Sequence, residues 1–177
     1  MKTLIISVSG GKPSKSHTLA SYAAKAITAI DPEGSVSWLD FAEEPLPHFE
    51  GPATWSDPKV VSARERIAAA EALVIAAPIY NYTLPSAAKS LIELTGDAWE
   101  NKIVGFLCAA GGSHSYMAPV SFANCLMLDF RCLILPRFVY ATGEAFSPTT
   151  GDLTDEEIRS RIEHFAQDLM RLKGWVR

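Results

Sequence analysis

Short apolar runs alternate along this chain with segments whose apolar residues recur every three or four positions. The runs KTLIISV (2–8), ALVIAAP (72–78) and KIVGFLCAA (102–110) lack polar alternation, the pattern of strands buried on both faces. SVSWLDF (35–41) predicts a second strand, and RCLILPRFVYA (131–141) a fifth that Pro136 can interrupt. Helices are expected between them. The first starts at Ser16, with Leu19, Ala23, Ile27 and Ile30 on one face, and the second at Asp57-Pro58, an N-cap followed by proline. The third opens at Pro85, with Leu84, Ala88, Leu91, Ile92 and Thr95 inward, and an apolar fourth covers 116–130. The last carries Ile158, Ile162, Phe165, Leu169 and Leu172 on one stripe, and Thr154 and Glu157 have the spacing of a capping box. Residues 42–56, with three prolines and a glycine, predict an irregular loop.

Strands buried on both faces and alternating with helices imply a parallel sheet covered on each side. The expected fold class is α/β: one domain over 1–177, a three-layer, doubly wound, five-stranded parallel sheet in the order 2-1-3-4-5. A closed eight-fold barrel would need about 250 residues. In an open sheet of this order, ligands bind beyond the carboxyl ends of the strands, between strands 1 and 3. The loops there are SGGKPSKSHT (9–18), PIYNYTLP (78–85) and AAGGSHSY (109–116).

Composition narrows the classes. The chain has 177 residues, 48% apolar and 20% charged, enough to bury a core. A net charge of −4 with scattered basic residues argues against nucleic acid as partner. No apolar run has the ~20 residues a membrane span needs, and MKTLIISVSGG is too short in its apolar part for a signal peptide. Cys108, Cys125 and Cys132 have no metal-ligand spacing and sit in apolar surroundings, so they read as buried reduced thiols of a cytoplasmic protein, with no metal expected.

The three loops carry the chemistry. The first holds two glycines, two lysines, several hydroxyls and His17, and runs into a helix N-terminus, where free N–H groups and the helix dipole favour phosphate. It is neither a Walker A motif nor GxGxxG; by itself it also reads as a solvated loop with a serine cap. In the second, Tyr80, Asn81 and Tyr82 can stack on and hydrogen-bond to a planar heteroaromatic ring, although a tyrosine there can equally pack in the core. In the third, Gly111 and Gly112 let backbone approach a flat ligand. A phosphate cradle, a ring platform and a glycine wall in one crevice fit flavin mononucleotide (FMN) better than a nucleoside triphosphate, for which no magnesium carboxylate pair is evident.

Residues 78–94 follow the pattern P-x-Y-N-x-x-x-P-x-x-x-K at Pro78, Tyr80, Asn81, Pro85 and Lys89. With AAGGSH in the third loop, this resembles the NADPH-dependent FMN reductase family of flavodoxin-like proteins, which includes quinone and azo reductases. In the first loop Ser16-His17-Thr18 matches the end of that family's G-S-x-R-x-x-S pattern, but the arginine is missing, leaving Lys12 or Lys15 to replace it as a point charge. Ile79 stands where the family often has an acid. The resemblance implies FMN bound by Ser9, Lys12, Ser14, Ser16, His17 and Thr18 of the first loop, Pro78, Ile79, Tyr80, Asn81 and Tyr82 of the second, and Gly111, Gly112 and Ser113 of the third. It implies hydride transfer from NADPH or NADH through the flavin to a small acceptor, with no required acid–base side chain. His114 and Tyr116 lie close by and could assist protonation, although a hydrogen-bonded structural role is favoured over it. It further implies a homodimer or dimer of dimers, which the sparse charge on 84–95 and 116–130 also suggests. Two alternatives are a flavin-binding electron carrier without NAD(P)H turnover and a cysteine hydrolase using Cys108 and His114; a thiol inside a buried strand is inert, which disfavours the second.

Overall fold

The computed structural model describes residues 1–173. β1 (Lys2–Ser7), β2 (Ser35–Asp40), β3 (Ala72–Pro78) and β4 (Ile103–Ala110) form a parallel sheet in the order β2-β1-β3-β4; β5 (Leu133–Ile134) and β6 (Val139–Thr142) share the place beyond β4. The order is the expected 2-1-3-4-5. α2 (Pro58–Ala69), α3 (Ser86–Thr95) and α4 (Val120–Phe130) cover one face, packing on Leu4, Ile6, Leu73, Ile75 and Phe106; α1 (Lys15–Ile30) and α5 (Glu156–Arg171) cover the other, on Ile5, Val74, Ile103 and Leu107. The central strands read as continuous apolar runs because successive side chains enter opposite layers, each fully buried Leu or Ile contributing about 1.5–3 kcal/mol.

The fifth strand is interrupted where expected, and four other local readings need correction. The fifth strand breaks at Pro136: Leu135 N still donates to Val104 O (2.8 Å), but proline has no N–H to give, Arg137 turns to φ 60°, and pairing resumes at Val139 opposite Leu107. The fourth helix starts at Val120 with Pro119 as its N-cap, and 113–115 form a short 3₁₀ turn instead. The cap of α5 is Asp155, whose Oδ1 accepts from Ile158 N (3.0 Å); Thr154 N and Oγ1 are both committed to Ala145 O (2.9 and 3.2 Å), so the helix begins one residue later. Ile30, at the end of α1, is exposed, and Cys125 is only half-buried, unlike Cys108 and Cys132. Leu172 lies just past α5 but packs partly on the α1 and α5 layer, and 42–56 is irregular up to a 3₁₀ turn at Pro52–Ser56.

Candidate functional site

Three neighbouring strands release their chains side by side. Ser7 is in register with Ala76, and Pro78 with Ala109. The last rungs of this ladder are Val8 N donating to Ala76 O (3.0 Å) and Ile79 N donating to Ala109 O (2.8 Å). Beyond them β1 and β3 leave the ladder, β4 pairs only with β6 through Ala110, and the three loops begin.

The first loop ends in a capped helix. Ser14 Oγ accepts from His17 N (3.2 Å), and Ser14 O accepts from Thr18 N (3.0 Å) and Thr18 Oγ1 (3.3 Å). The N–H groups of Lys15 and Ser16, in the first turn, have no intrahelical acceptor. Ser16 is buried, its hydroxyl 3.1 Å from that of Ser14, and Ser9 is buried at the start of the loop. Lys12 is exposed and bonds to Glu43; that carboxylate raises the lysine pKa above its ordinary value. His17 turns toward β2, with Nδ1 3.2 Å from Asp40 Oδ2 and its ring 5.1 Å from that of Trp38. Ser7, Ser9, Ser14 and these two carboxylates line a cleft of about 350 Å³ under the loop. The fully buried Ser7 Oγ there has no partner among the described residues.

The second loop is a tight turn. Tyr80 N donates to Thr83 O and Thr83 N to Tyr80 O, both at 3.0 Å, while Asn81 and Tyr82 between them take φ of 49° and 62°. Two consecutive left-handed residues closed by reciprocal bonds mark a primed hairpin turn, which favours Asn first and Gly second. A tyrosine held at the second position is strained, and such strain concentrates at ligand sites. Tyr80 and Tyr82 expose 59% and 66% of their surface, so neither packs in the core. Ile79 is buried beside them, anchoring the turn to β4.

Loop three is pinned from β6. Tyr140 Oη donates to Gly112 O and lies 2.7 Å from Ser115 Oγ, and Tyr116 packs edge-on against the Tyr140 ring at 5.7 Å. Gly111, Gly112, Ser113 and His114 line a cavity of about 480 Å³ whose other wall is Lys15, Thr142, Gly143 and Glu144. Lys15 Nζ also sits over the Phe146 ring at 5.7 Å. Of the two candidate lysines, Lys15 thus faces the third loop and Lys12 the acidic segment after β2. Tyr140 and Thr142–Glu144 border the candidate site and were missed by sequence reasoning; the available signal was an aromatic and a glycine flanking the end of a strand adjacent to β4.

A Cβ built on Gly10, Gly11, Gly111 or Gly112 meets nothing within 4 Å, and none of these four takes the left-handed φ that would demand glycine. Neither the protein's packing nor its backbone explains them; each borders open space. The thiols are unsuited to nucleophilic work: burial pushes Cys108 up to about 12 and Cys132 up to about 11. Among the described residues no cluster of His, Cys, Asp and Glu is arranged for a metal, and no helix is long and apolar enough to cross a membrane.

Known proteins resemble this chain in sequence and in fold. The chain is 27% identical, over 98% of its length and 95% of the relative's, to an NAD(P)H-dependent FMN reductase of Pseudomonas aeruginosa. It is 30% identical to an FMN-dependent NADH:quinone oxidoreductase of Bordetella petrii, covering 82% of this chain and 86% of that one. The fold matches that of the flavoenzyme NAD(P)H:(acceptor) oxidoreductase FerB of Paracoccus denitrificans, with a TM-score of 0.73 at 19% identity over 96% of this chain and 97% of that chain. Residues 1–147 match the model of the NADPH-dependent FMN reductase family. With the sheet order, the three loops and these likenesses in agreement, the chain belongs to the NADPH-dependent FMN reductase family and is an FMN-dependent NAD(P)H oxidoreductase.

Proposed function

We propose that FMN lies across the three loops, its phosphate at the first turn of α1 and its ring between the Tyr80–Thr83 turn and Gly111–Gly112. The observation that carries this reading is the open space at the four loop glycines, which the protein leaves without a purpose of its own. The residues fit the cofactor. Lys15 N–H, Ser16 N–H and the buried Ser9 and Ser16 hydroxyls offer donors to a phosphate, and the dipole of α1 favours negative charge there. Tyr80, Asn81 and Tyr82 offer exposed aromatic faces and an amide to a planar ring. When bound, flavin would supply the two-electron redox chemistry between a nicotinamide and a small acceptor. The chain's own work is to bind, to orient and to keep the loop backbone close to the ring. Tyr140, through Gly112 and Ser115, holds the wall in place.

The test is binding followed by turnover. The purified protein should take up FMN more tightly than riboflavin in a fluorescence-quenching titration and oxidise NADPH in the presence of a quinone. Equal affinity for the two flavins removes the phosphate role of the first loop; FMN binding without NADPH oxidation marks an electron carrier.

The working form is a homodimer or a dimer of dimers. Its support is the outer surface of α4 and the turn before it, where Met117, Val120, Met127 and Leu128 expose 65%, 38%, 44% and 77%. An outer helix of a three-layer fold ordinarily shows charge there. Phe49 and Trp55, 5.5 Å apart on the proline-rich loop and tied to α3 by Trp55 Nε1 donating to Glu93 O (3.4 Å), would shape an acceptor pocket near that boundary. Light scattering at micromolar concentration should exceed the 19.2 kDa of one chain, and Leu128→Glu should lower it. The three free thiols suit the reducing conditions of the cytoplasm.

A further inference from the structure

Arg137 occupies an uncommon backbone position, and where it projects is informative. The break in the fifth strand places Pro136 and Arg137 outside the ladder on the open edge of the sheet, with Arg137 at φ 60°, a left-handed conformation that disfavours a long side chain. The residue lines a cleft of about 520 Å³ between this edge and α5, together with Arg161, His164, Asp168, Arg171 and Tyr116. The charges there do not cancel. Arg161 pairs with Glu157 (2.5 Å) and Arg171 with Asp168 (2.8 Å), while no carboxylate among the described residues pairs with Arg137. One guanidinium is left over, in a chain whose net charge is −4. A left-handed arginine with an unpaired guanidinium in a cleft fits a site that binds an anion.

The cleft is also connected to the third loop. A shallower cavity between them shares Tyr116 and Arg161 with the cleft, and Ser113 and Thr142 with the cavity beside Gly111 and Gly112. Tyr116 links the two ends, with its ring 5.7 Å from that of Tyr140, which pins Gly112, and 6.2 Å from that of Phe138, next to Arg137. One trough therefore leads from the proposed ring site to a surplus positive charge. A ligand that fills it is long, with an uncharged end at the loop and anionic groups at the far end, as in a nicotinamide dinucleotide.

Resting on the FMN reading above, we propose that the Arg137 cleft holds the phosphate-bearing half of NADPH and that Arg137 and Arg161 set the enzyme's affinity for it. An arginine fork matches phosphate oxygens two at a time, and its partner Glu157 yields Arg161 readily because the pair is exposed. The probe is adenosine 2′,5′-diphosphate, which carries the phosphates without the nicotinamide and requires no turnover. Calorimetric titration should show it binding the wild type, with affinity falling about tenfold in Arg137→Gly, a replacement that keeps the left-handed turn, and further when Arg161→Gln is added. In the same variants KM for NADPH should rise by the same factor at unchanged kcat, with FMN affinity intact. No binding of the diphosphate to the wild type, or equal binding to Arg137→Gly, overturns the proposal. Failure of FMN itself to bind would instead strike the reading on which it rests.

Discussion

Two glycine sites on one strand and its loop, Gly105 and the Gly111–Gly112 pair, look alike in sequence and differ in what requires them. Gly105 sits in the middle of β4, where a Cβ would collide with Cζ of Phe165 on α5. The protein fills that space itself. At Gly111 and Gly112 a Cβ would meet nothing. The first glycine is explained by the folded chain; the other two are not explained by its packing. The same division runs through the molecule: below the carboxyl ends of the strands the layers are packed, and above them lie exposed tyrosines, strained turns and unpaired donors.

The largest expected effect tests the packed side. Gly105→Ala forces the Phe165 ring out of its place in a layer that also holds Ile103 and Leu107. Overpacking of this kind costs about 1–3 kcal/mol, and the value here should lie at the top of that range. Urea unfolding should show the loss, and a midpoint within error of wild type would mean that the packed region is looser than its geometry.

The buried thiols sharpen the same side. At pH 8, Cys125, half-buried on α4, should take up iodoacetamide while the protein is folded; before unfolding, Cys108 should react about a thousandfold and Cys132 about a hundredfold more slowly than after it. The sign of the pH effect follows. A thiol raised from about 9 to about 12 by burial holds its proton more firmly folded than unfolded, so its contribution to stability is complete below about 9 and is lost as the pH rises toward 12. Cys108→Ala should flatten that alkaline limb. Rapid alkylation of all three thiols in folded protein would contradict the picture.

On the open side, Gly111→Val and Gly112→Val should leave the unfolding midpoint within about 0.5 kcal/mol of wild type yet weaken FMN about tenfold, since the new methyls enter the space assigned to the ring. Loss of stability without loss of FMN would reverse the comparison between the two glycine sites.

How far each region can be read from sequence follows from the same division. β1, β3 and β4 were legible because burial on both faces leaves a continuous apolar run, and the sheet order then placed the three loops. The Tyr80–Thr83 tip was legible as an exposed turn, since nothing in a core needs Tyr-Asn-Tyr between two prolines. Its two left-handed residues were not, because a turn without glycine gives no such signal. Tyr140 was hidden by position: it lies in an edge strand whose own loop is not at the switch point, and only the pairing of Cys108 with Tyr140 brings it under Gly112. The cap of α5 was misread by one residue because Thr154 and Asp155 offer overlapping frames, and a distant carbonyl, Ala145 O, takes Thr154.

Tyr140 allows a smaller test at the boundary of the two regions. Its ring belongs to the packed layer, while its hydroxyl serves the open loop through Gly112 and Ser115. Tyr140→Phe keeps the ring and removes the hydroxyl, so stability should fall by about 1 kcal/mol, one net hydrogen bond, and FMN affinity a few-fold as the loop loosens. An FMN affinity unchanged by this variant would show that the third loop holds its shape without the tie.

The smallest effect concerns Lys12. Its ammonium bonds to Glu43, with both side chains more than half exposed, and an exposed pair of this kind contributes little to folding. If Lys12 serves the FMN phosphate, binding must first break this pair, and the carboxylate competes with the phosphate for one cation. Glu43→Gln removes the competitor and one negative charge near the loop. FMN should then bind about threefold more tightly, riboflavin should bind as before, and the gain should shrink in high salt as screening removes the difference. A gain shared equally by riboflavin would assign the effect to loop shape. No gain at all would leave Lys15, already facing Gly111 and Gly112, as the cation of the site.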